Sequence, residues 1–416
     1  MKEKVYDAIW FPRIKDIHAN VPRYLRAVSV KDVREDFFSG EQEVSFFAYP
    51  SCEPEMMLER IGVLQMLSRD LLQEENETVR EIYQDLIDEK IQKYEFLHEW
   101  SRFLADAMYP AQQLQEKLDA IYGVPDKAIF TEIMQGVAGK LADTPLSLRD
   151  ESWNRLHQIC MTLHALPRVY QEEPDTSDIV LPEHIPAHIA AYLQEKGYTD
   201  WTVEISVRQR DKIRVSLPDK KFVVPSIAIL TARHKIRPYT ERRLRALLAH
   251  EVDTHVRRAE NGAASPLQLL GIGLVGYRQA EEGIALLREE EVFPQGVVRH
   301  DWYIAASLAC GLDCGMSRDF RETFLHMRAF YELVAEQEKN MAHKHAFNLC
   351  VSIFVRPHAH APALRFMSRL MYQHGARAVR TMLAEHPERH VWLDRGKFDP
   401  TNERQTSQLS ALGILR

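Results

Sequence analysis

Apolar residues recur every three or four positions from Glu53 to about Met108: Met56, Leu58, Ile61, Leu64, Leu67 and Leu71, then Val79, Ile82, Leu86, Ile91 and Phe96. That period predicts two long amphipathic helices, broken near Glu74 to Glu77, with shorter helices at Ala111 to Tyr122 and Lys127 to Leu141. The acid-, Pro- and Ser-bearing patch Gln171 to Ser177 reads as a linker, and Ile185 to Glu195 as another helix. The pattern then changes. Thr202 to Val207, Ile213 to Leu217 and Phe222 to Leu230 are short and rich in β-branched residues, parted by turn signals, and predict a small sheet. Helical periodicity returns at Thr240 and persists almost to the end, apart from a glycine-containing loop between Asn261 and Gly276. The expected class is α+β, predominantly helical. A mainly helical region over residues 1–180 is expected to precede a second region over 181–416, unless both form one continuous domain.

Composition narrows the function classes. The chain has 416 residues, 45% hydrophobic and 27% charged, with a formal net charge of -7. An acidic balance supplies no overall field for nucleic acid or an anionic membrane, so neither is an expected partner. Nowhere do about 18 apolar residues follow one another, and Met1 to Asn20 lacks the apolar run of a signal peptide. The five cysteines, Cys52, Cys160, Cys310, Cys314 and Cys350, are thinly spread and form no disulfide framework. A reducing, cytoplasmic setting is expected. Locally the balance reverses: Val207 to Arg258 holds fourteen Lys and Arg against five Asp and Glu. Such a stretch is either a solvated face or a positive field for a peptide's terminal carboxylate or an acidic tail.

The candidate chemistry lies in Tyr239 to Gly262, YTERRLRALLAHEVDTHVRRAENG. Thr240 is placed to cap a helix with apolar positions Leu244, Leu247, Leu248 and Val252, and Asn261-Gly262 to end it. Within it, His250 and His255 flank Glu251, the residue types used when zinc activates water beside a glutamate base. Histidines five apart diverge by about 140° on a regular α-helix. A π turn would bring them back towards one face. Downstream, the helix from Arg278 to Arg288 carries the adjacent carboxylates Glu281 and Glu282. They offer a third ligand, or else solvate the face they share with Arg278 and Arg288.

HEVDTH, RRAENG, the Pro266-Leu267 loop and EEGIA together resemble the tyrosine/phenylalanine carboxypeptidase domain family of zinc metallopeptidases. Its animal members remove the C-terminal tyrosine of tubulin, and its bacterial members are known by a Gln-Glu-Gly-Leu-Ala motif. The family's helix reads HExxxH, so the five-residue spacing belongs to the resemblance. Ala120-Ile-Tyr-Gly-Val-Pro125, Ile353-Phe-Val-Arg356, Tyr372 and Gly375 extend it loosely over residues 45–380. The resemblance implies a zincin-like catalytic part in which His250, His255 and Glu282 bind one Zn2+ and Glu251 is the catalytic glutamate. Whether Glu281 also contributes stays open. One departure is Ser368-Arg369 where the family carries Lys-Asp before Tyr372.

The implied reaction is removal of a C-terminal aromatic residue, Tyr or Phe, from a peptide or protein by metal-activated water. Glu251 would take the water proton and return it to the leaving amine, Tyr372 would donate to the oxyanion, and Arg258, Arg278 or Arg356 would pair with the terminal carboxylate. The rival is a catalytically silent interaction protein that keeps the fold. Three other motifs carry less: Cys310 and Cys314 lack partners at zinc spacing, Gly271-Ile-Gly273-Leu-Val-Gly276 follows no strand of a βαβ unit, and His358-Ala-His360 reads as a polar loop.

Overall fold

In the computed structural model, the described residues are all except 1–4, 29, 41–46, 107, 146, 148, 169–174, 208–212, 227–238, 295, 356–362 and 416. The chain is α+β and mostly helical, as its periodicity predicts. It divides into two compact units interleaved along the sequence, not two blocks meeting at residue 180. One comprises Met1–Lys15, Glu172–Pro294 and His374–Arg416, the other Asp16–Gln171 and Gln295–Gln373.

The second unit is built on the long helices Pro54–Leu71 and Glu77–Ala105 together with Ala111–Tyr122, Lys127–Ala142, Glu151–Thr162, Asp301–Ala309, Phe320–Leu333 and Lys339–Ile353. The inner face of Pro54–Leu71 is Met57, Ile61, Leu64, Leu67 and Leu71. Met56 and Leu58, expected on that face, are exposed, because the four-residue step back from Ile61 lands on Met57. Phe130, Tyr303, Met327, Phe330 and Phe347 lie at the centre of the apolar core. Asp126 caps its helix through the Ile129 amide, and Asp319 and Glu322 form a reciprocal capping box.

The first unit holds the expected sheet. Strands β1 (Thr202–Ser206), β2 (Arg214–Ser216) and β3 (Lys221–Pro225) order as β1-β3-β2, β1 parallel and β2 antiparallel to β3. The last part of the run expected as Phe222 to Leu230 lies outside the described residues. Phe222 and Val224 point into a core shared with Ile185, Ile189, Leu193, Trp201, Leu244, Leu248, Val252 and Val256. The helix beginning at Glu241 thus lays one apolar stripe on this core. Its opposite side, with the histidines, is left for the helix Tyr277–Val292.

Candidate metal centre

Thr240 caps the histidine helix, its hydroxyl accepting from the Arg243 amide at 3.2 Å. Regular α-helix runs from Glu241 to His250, a π-helix from Glu251 to Val256, and α-helix again from Arg257 to Ala263. The π turn that a five-residue spacing requires is therefore present, and the two imidazole centroids stand 5.2 Å apart. The expected helix end at Asn261-Gly262 is displaced: Gly262 is helical and buried, because a Cβ there would stand 2.1 Å from the Leu270 carbonyl oxygen. Close backbone packing, not a left-handed cap, accounts for this glycine.

The helix Tyr277–Val292 crosses Leu370–Glu385 at a pair of glycines. A Cβ on Gly283 would lie 2.2 Å from the Gly375 carbonyl carbon, and one on Gly375 would lie 1.7 Å from the Gln279 carbonyl oxygen. Only glycine permits this approach. It fixes Glu281 and Glu282, immediately before Gly283.

His250, His255 and Glu282 each offer one ligand atom, all lying within 4.8 Å of one another. Glu282 Oε2 lies 3.6 Å from His250 Nε2 and 3.8 Å from His255 Nε2. Ligand atoms about 2.1 Å from a tetrahedral ion stand roughly 3.4 Å apart, within a few tenths of an ångström of these distances. Glu282 Oε2 is also buried without a hydrogen-bond partner. Two imidazoles, a carboxylate and one orphaned oxygen suit zinc. The electrostatics agree. Burial opposes charge on His250, but Glu282, Glu289 and Glu251 outweigh it and raise its pKa to about 10. Burial likewise opposes charge on Glu282, and the two histidines hold its carboxyl below the usual range. The carboxylates around His250 thus favour positive charge at this position.

Glu281 points elsewhere. Its Oε2 lies 3.3 Å from His255 Nδ1, the nitrogen on the far side of the ring from Glu282. Glu251, half-buried, opens the π turn beside His250. Burial first, and then the Glu251 charge, raise the pKa of Tyr239.

The expected substrate arginines fare differently. Arg258 is 0% exposed, and it donates through Nε and Nη2 to the Gly396 carbonyl at 2.9 and 2.6 Å and through Nη2 to the Phe398 carbonyl at 2.5 Å. It is scaffold, shut off from any substrate carboxylate. Arg278 is exposed on the first turn of the glutamate helix, one turn before Glu282. Arg356 and His358-Ala-His360 lie outside the described residues. Tyr372 is half-buried on Leu370–Glu385 and belongs to the other compact unit.

Among the described residues of the basic stretch, several cations are paired within the chain. Lys220 meets Asp200 and Glu260, Lys221 meets Glu204, Arg243 meets Asp175, and Arg257 meets Asp253 and Asp394. Sequence reasoning missed Glu289, Asp394 and Lys397. Glu289 follows Glu282 by two helical turns, a usable signal. The other two sit in the C-terminal segment without a periodic pattern to mark them. Asp394 ties Arg257 to Arg288, and Arg288 also donates to the Asp253 carbonyl inside the π turn.

A family model described as microtubule-associated tyrosine carboxypeptidase matches residues 182–416. The chain belongs to that family. No curated protein and no solved structure matches it. In this member of the microtubule-associated tyrosine carboxypeptidase family, the matched residues include His250, Glu251, His255 and Glu282. Among the described residues no helix is long and apolar enough to cross a membrane.

Proposed function

We propose that this chain is a zinc-dependent carboxypeptidase that removes a C-terminal aromatic residue, Tyr or Phe, from a peptide or protein. Support comes above all from the convergence of His250, His255 and Glu282 within 4.8 Å, in a chain whose family is one of tyrosine carboxypeptidases.

Zinc bound there supplies a Lewis acid that polarises a carbonyl and acidifies water. The remaining roles belong to the chain. Glu251, next to His250 but outside the ligand set, receives the water proton on its carboxylate and delivers it to the leaving amine. Arg278, exposed one turn from Glu282, lies outside the buried backbone contacts that occupy Arg258, and it pairs with the substrate's terminal carboxylate.

The test combines metal analysis with peptides ending in Tyr, Phe, Leu, Ala and Glu, each as free acid and as amide, read by mass spectrometry. About one zinc per chain is expected, removable by a chelator together with activity. Amidation should lower turnover at least about 30-fold, the equivalent of roughly 2 kcal/mol from a lost charge-assisted pair. An aromatic end should outrun alanine by a similar factor, about 2 kcal/mol of apolar burial. Equal cleavage of acid and amide, or cuts at internal bonds, would refute the carboxypeptidase reading and leave the metal site standing.

A further inference from the structure

Behind the histidines lies a charged layer that neither ligand nor base roles use. His255 turns Nδ1 to Glu281 Oε2 at 3.3 Å, while its Nε2 faces Glu282. Glu281 is itself gripped by Lys397, whose Nζ lies 2.9 Å from Oε1 and 3.1 Å from Oε2. Their side chains are only 5% and 2% exposed. Lysine is almost never so buried without a partner, and here the Tyr277 ring also lies 5.3 Å from the ammonium.

The Lys397 backbone is pinned at both ends. Its amide donates to the Leu270 carbonyl at 2.8 Å, and its carbonyl accepts from the Leu274 amide at 2.9 Å. Arg258 holds the carbonyls on either side, those of Gly396 and Phe398. A buried ion pair is often no more stabilising than an apolar pair of the same size, so stability alone is a weak reason for this one. A carboxylate on Nδ1 has a definite effect on the imidazole: it accepts a hydrogen bond from Nδ1–H, leaves the lone pair on Nε2, fixes the ring and makes it a better ligand.

We propose that Glu281 and Lys397 are positioning residues for the metal. Lys397 fixes the Glu281 carboxylate, Glu281 holds His255 by Nδ1, and the Nε2 lone pair is thereby aimed where the orphaned Glu282 oxygen points. Glu289 meets His250 Nδ1 in the same manner at 3.0 Å. This inference rests on the zinc reading of His250, His255 and Glu282.

The experiment uses the full chain stripped of metal. Zinc affinity is measured by competition with a chromophoric chelator, ligand geometry by the visible spectrum of the cobalt(II)-substituted protein, and stability by urea unfolding. The variants are Glu281→Gln, Lys397→Met and the double variant. Glu281→Gln should weaken zinc about 10- to 100-fold and shift the cobalt bands. Lys397→Met should weaken zinc and lower the urea midpoint, because it takes the nearest cation away from a buried carboxylate. The double variant removes the Glu281–Lys397 pair together and leaves Arg258, 4.0 Å from Glu281, on its backbone carbonyls, so it should regain part of the midpoint but keep a loss of at least about tenfold in zinc affinity. Recovery of stability without recovery of affinity separates positioning from scaffolding.

Zinc affinity within about twofold of the unmodified chain in Glu281→Gln or in the double variant would overturn the proposal. If Lys397→Met does not fold, those two variants decide. An unmodified chain that binds no zinc removes the zinc reading and this inference with it, whereas tight binding that no variant weakens removes this inference alone.

Discussion

Glu281 and Glu282 are adjacent and chemically identical, yet 100° of helical rotation sends one to His255 Nδ1 and the other to both Nε2 atoms. Family resemblance distinguishes them by the glycine that follows; periodicity alone does not. The base and third ligand should separate in the same way. Glu251→Gln should keep about one zinc per chain while hydrolysis falls by roughly 10²- to 10⁴-fold, since Glu251 moves a proton and holds no metal. Glu282→Ala should lose the zinc itself, measured by elemental analysis after gel filtration. Loss of metal from Glu251→Gln would reverse the assignment. Arg258 was illegible because Arg257 and Arg258 look alike in sequence, and only one is buried. A signal did exist. Thr254, Arg258 and Gly262 recur at four-residue spacing, and all three are buried, so the helix has a second inner face besides the stripe of Leu244, Leu248, Val252 and Val256.

Among the elements, helix positions followed from periodicity, and so did the need for a π turn, since helical geometry leaves no other way for histidines five apart to converge. The crossing of Tyr277–Val292 and Leu370–Glu385 was not legible, because a glycine inside a helix does not announce which backbone it touches. Gly375 makes this crossing testable. In Gly375→Ala the new methyl must displace the Gln279 carbonyl, 1.7 Å away, and so push back the helix that carries Glu282. Overpacking of this kind costs about 1–3 kcal/mol, and urea unfolding should report a loss in that range together with weakened zinc binding. Wild-type stability and zinc affinity would mean that the helices separate without moving the ligand. Ala376, next along the chain, is a useful control in which Ala376→Gly should leave a small cavity and no clash.

The first unit draws on three separated stretches of chain. One crossing, between Gln171 and Glu172, falls in the acid- and Pro-bearing patch that reads as a linker. The crossing between Gln373 and His374 lies inside the helix Leu370–Glu385, where no linker composition can mark it. Nor does the sequence suggest that Met1–Lys15 belongs with residues far downstream. Yet Asp7, 0% exposed, accepts from the amides of Gln268 and Leu269 at 3.0 and 2.9 Å, and Tyr6 donates its amide to the Pro266 carbonyl and its hydroxyl to that of Leu412. Asp7 thus caps the short helix Gln268–Gly271 from a distance, supplying the acceptor that Leu267, its local cap residue, lacks. Asp7→Ala leaves two backbone donors without it, at a cost of about 1–3 kcal/mol. Zinc, in contrast, stabilises by mass action: at a free concentration a thousand times its dissociation constant it adds about 4 kcal/mol. The Asp7 bonds to Gln268 and Leu269 lie outside the proposed ligand set, so the two contributions should add. Chemical unfolding of both proteins, with zinc and with chelator, should show the same loss from Asp7→Ala in either condition. A loss that disappears on chelation would mean instead that the N-terminal segment acts by shaping the metal centre.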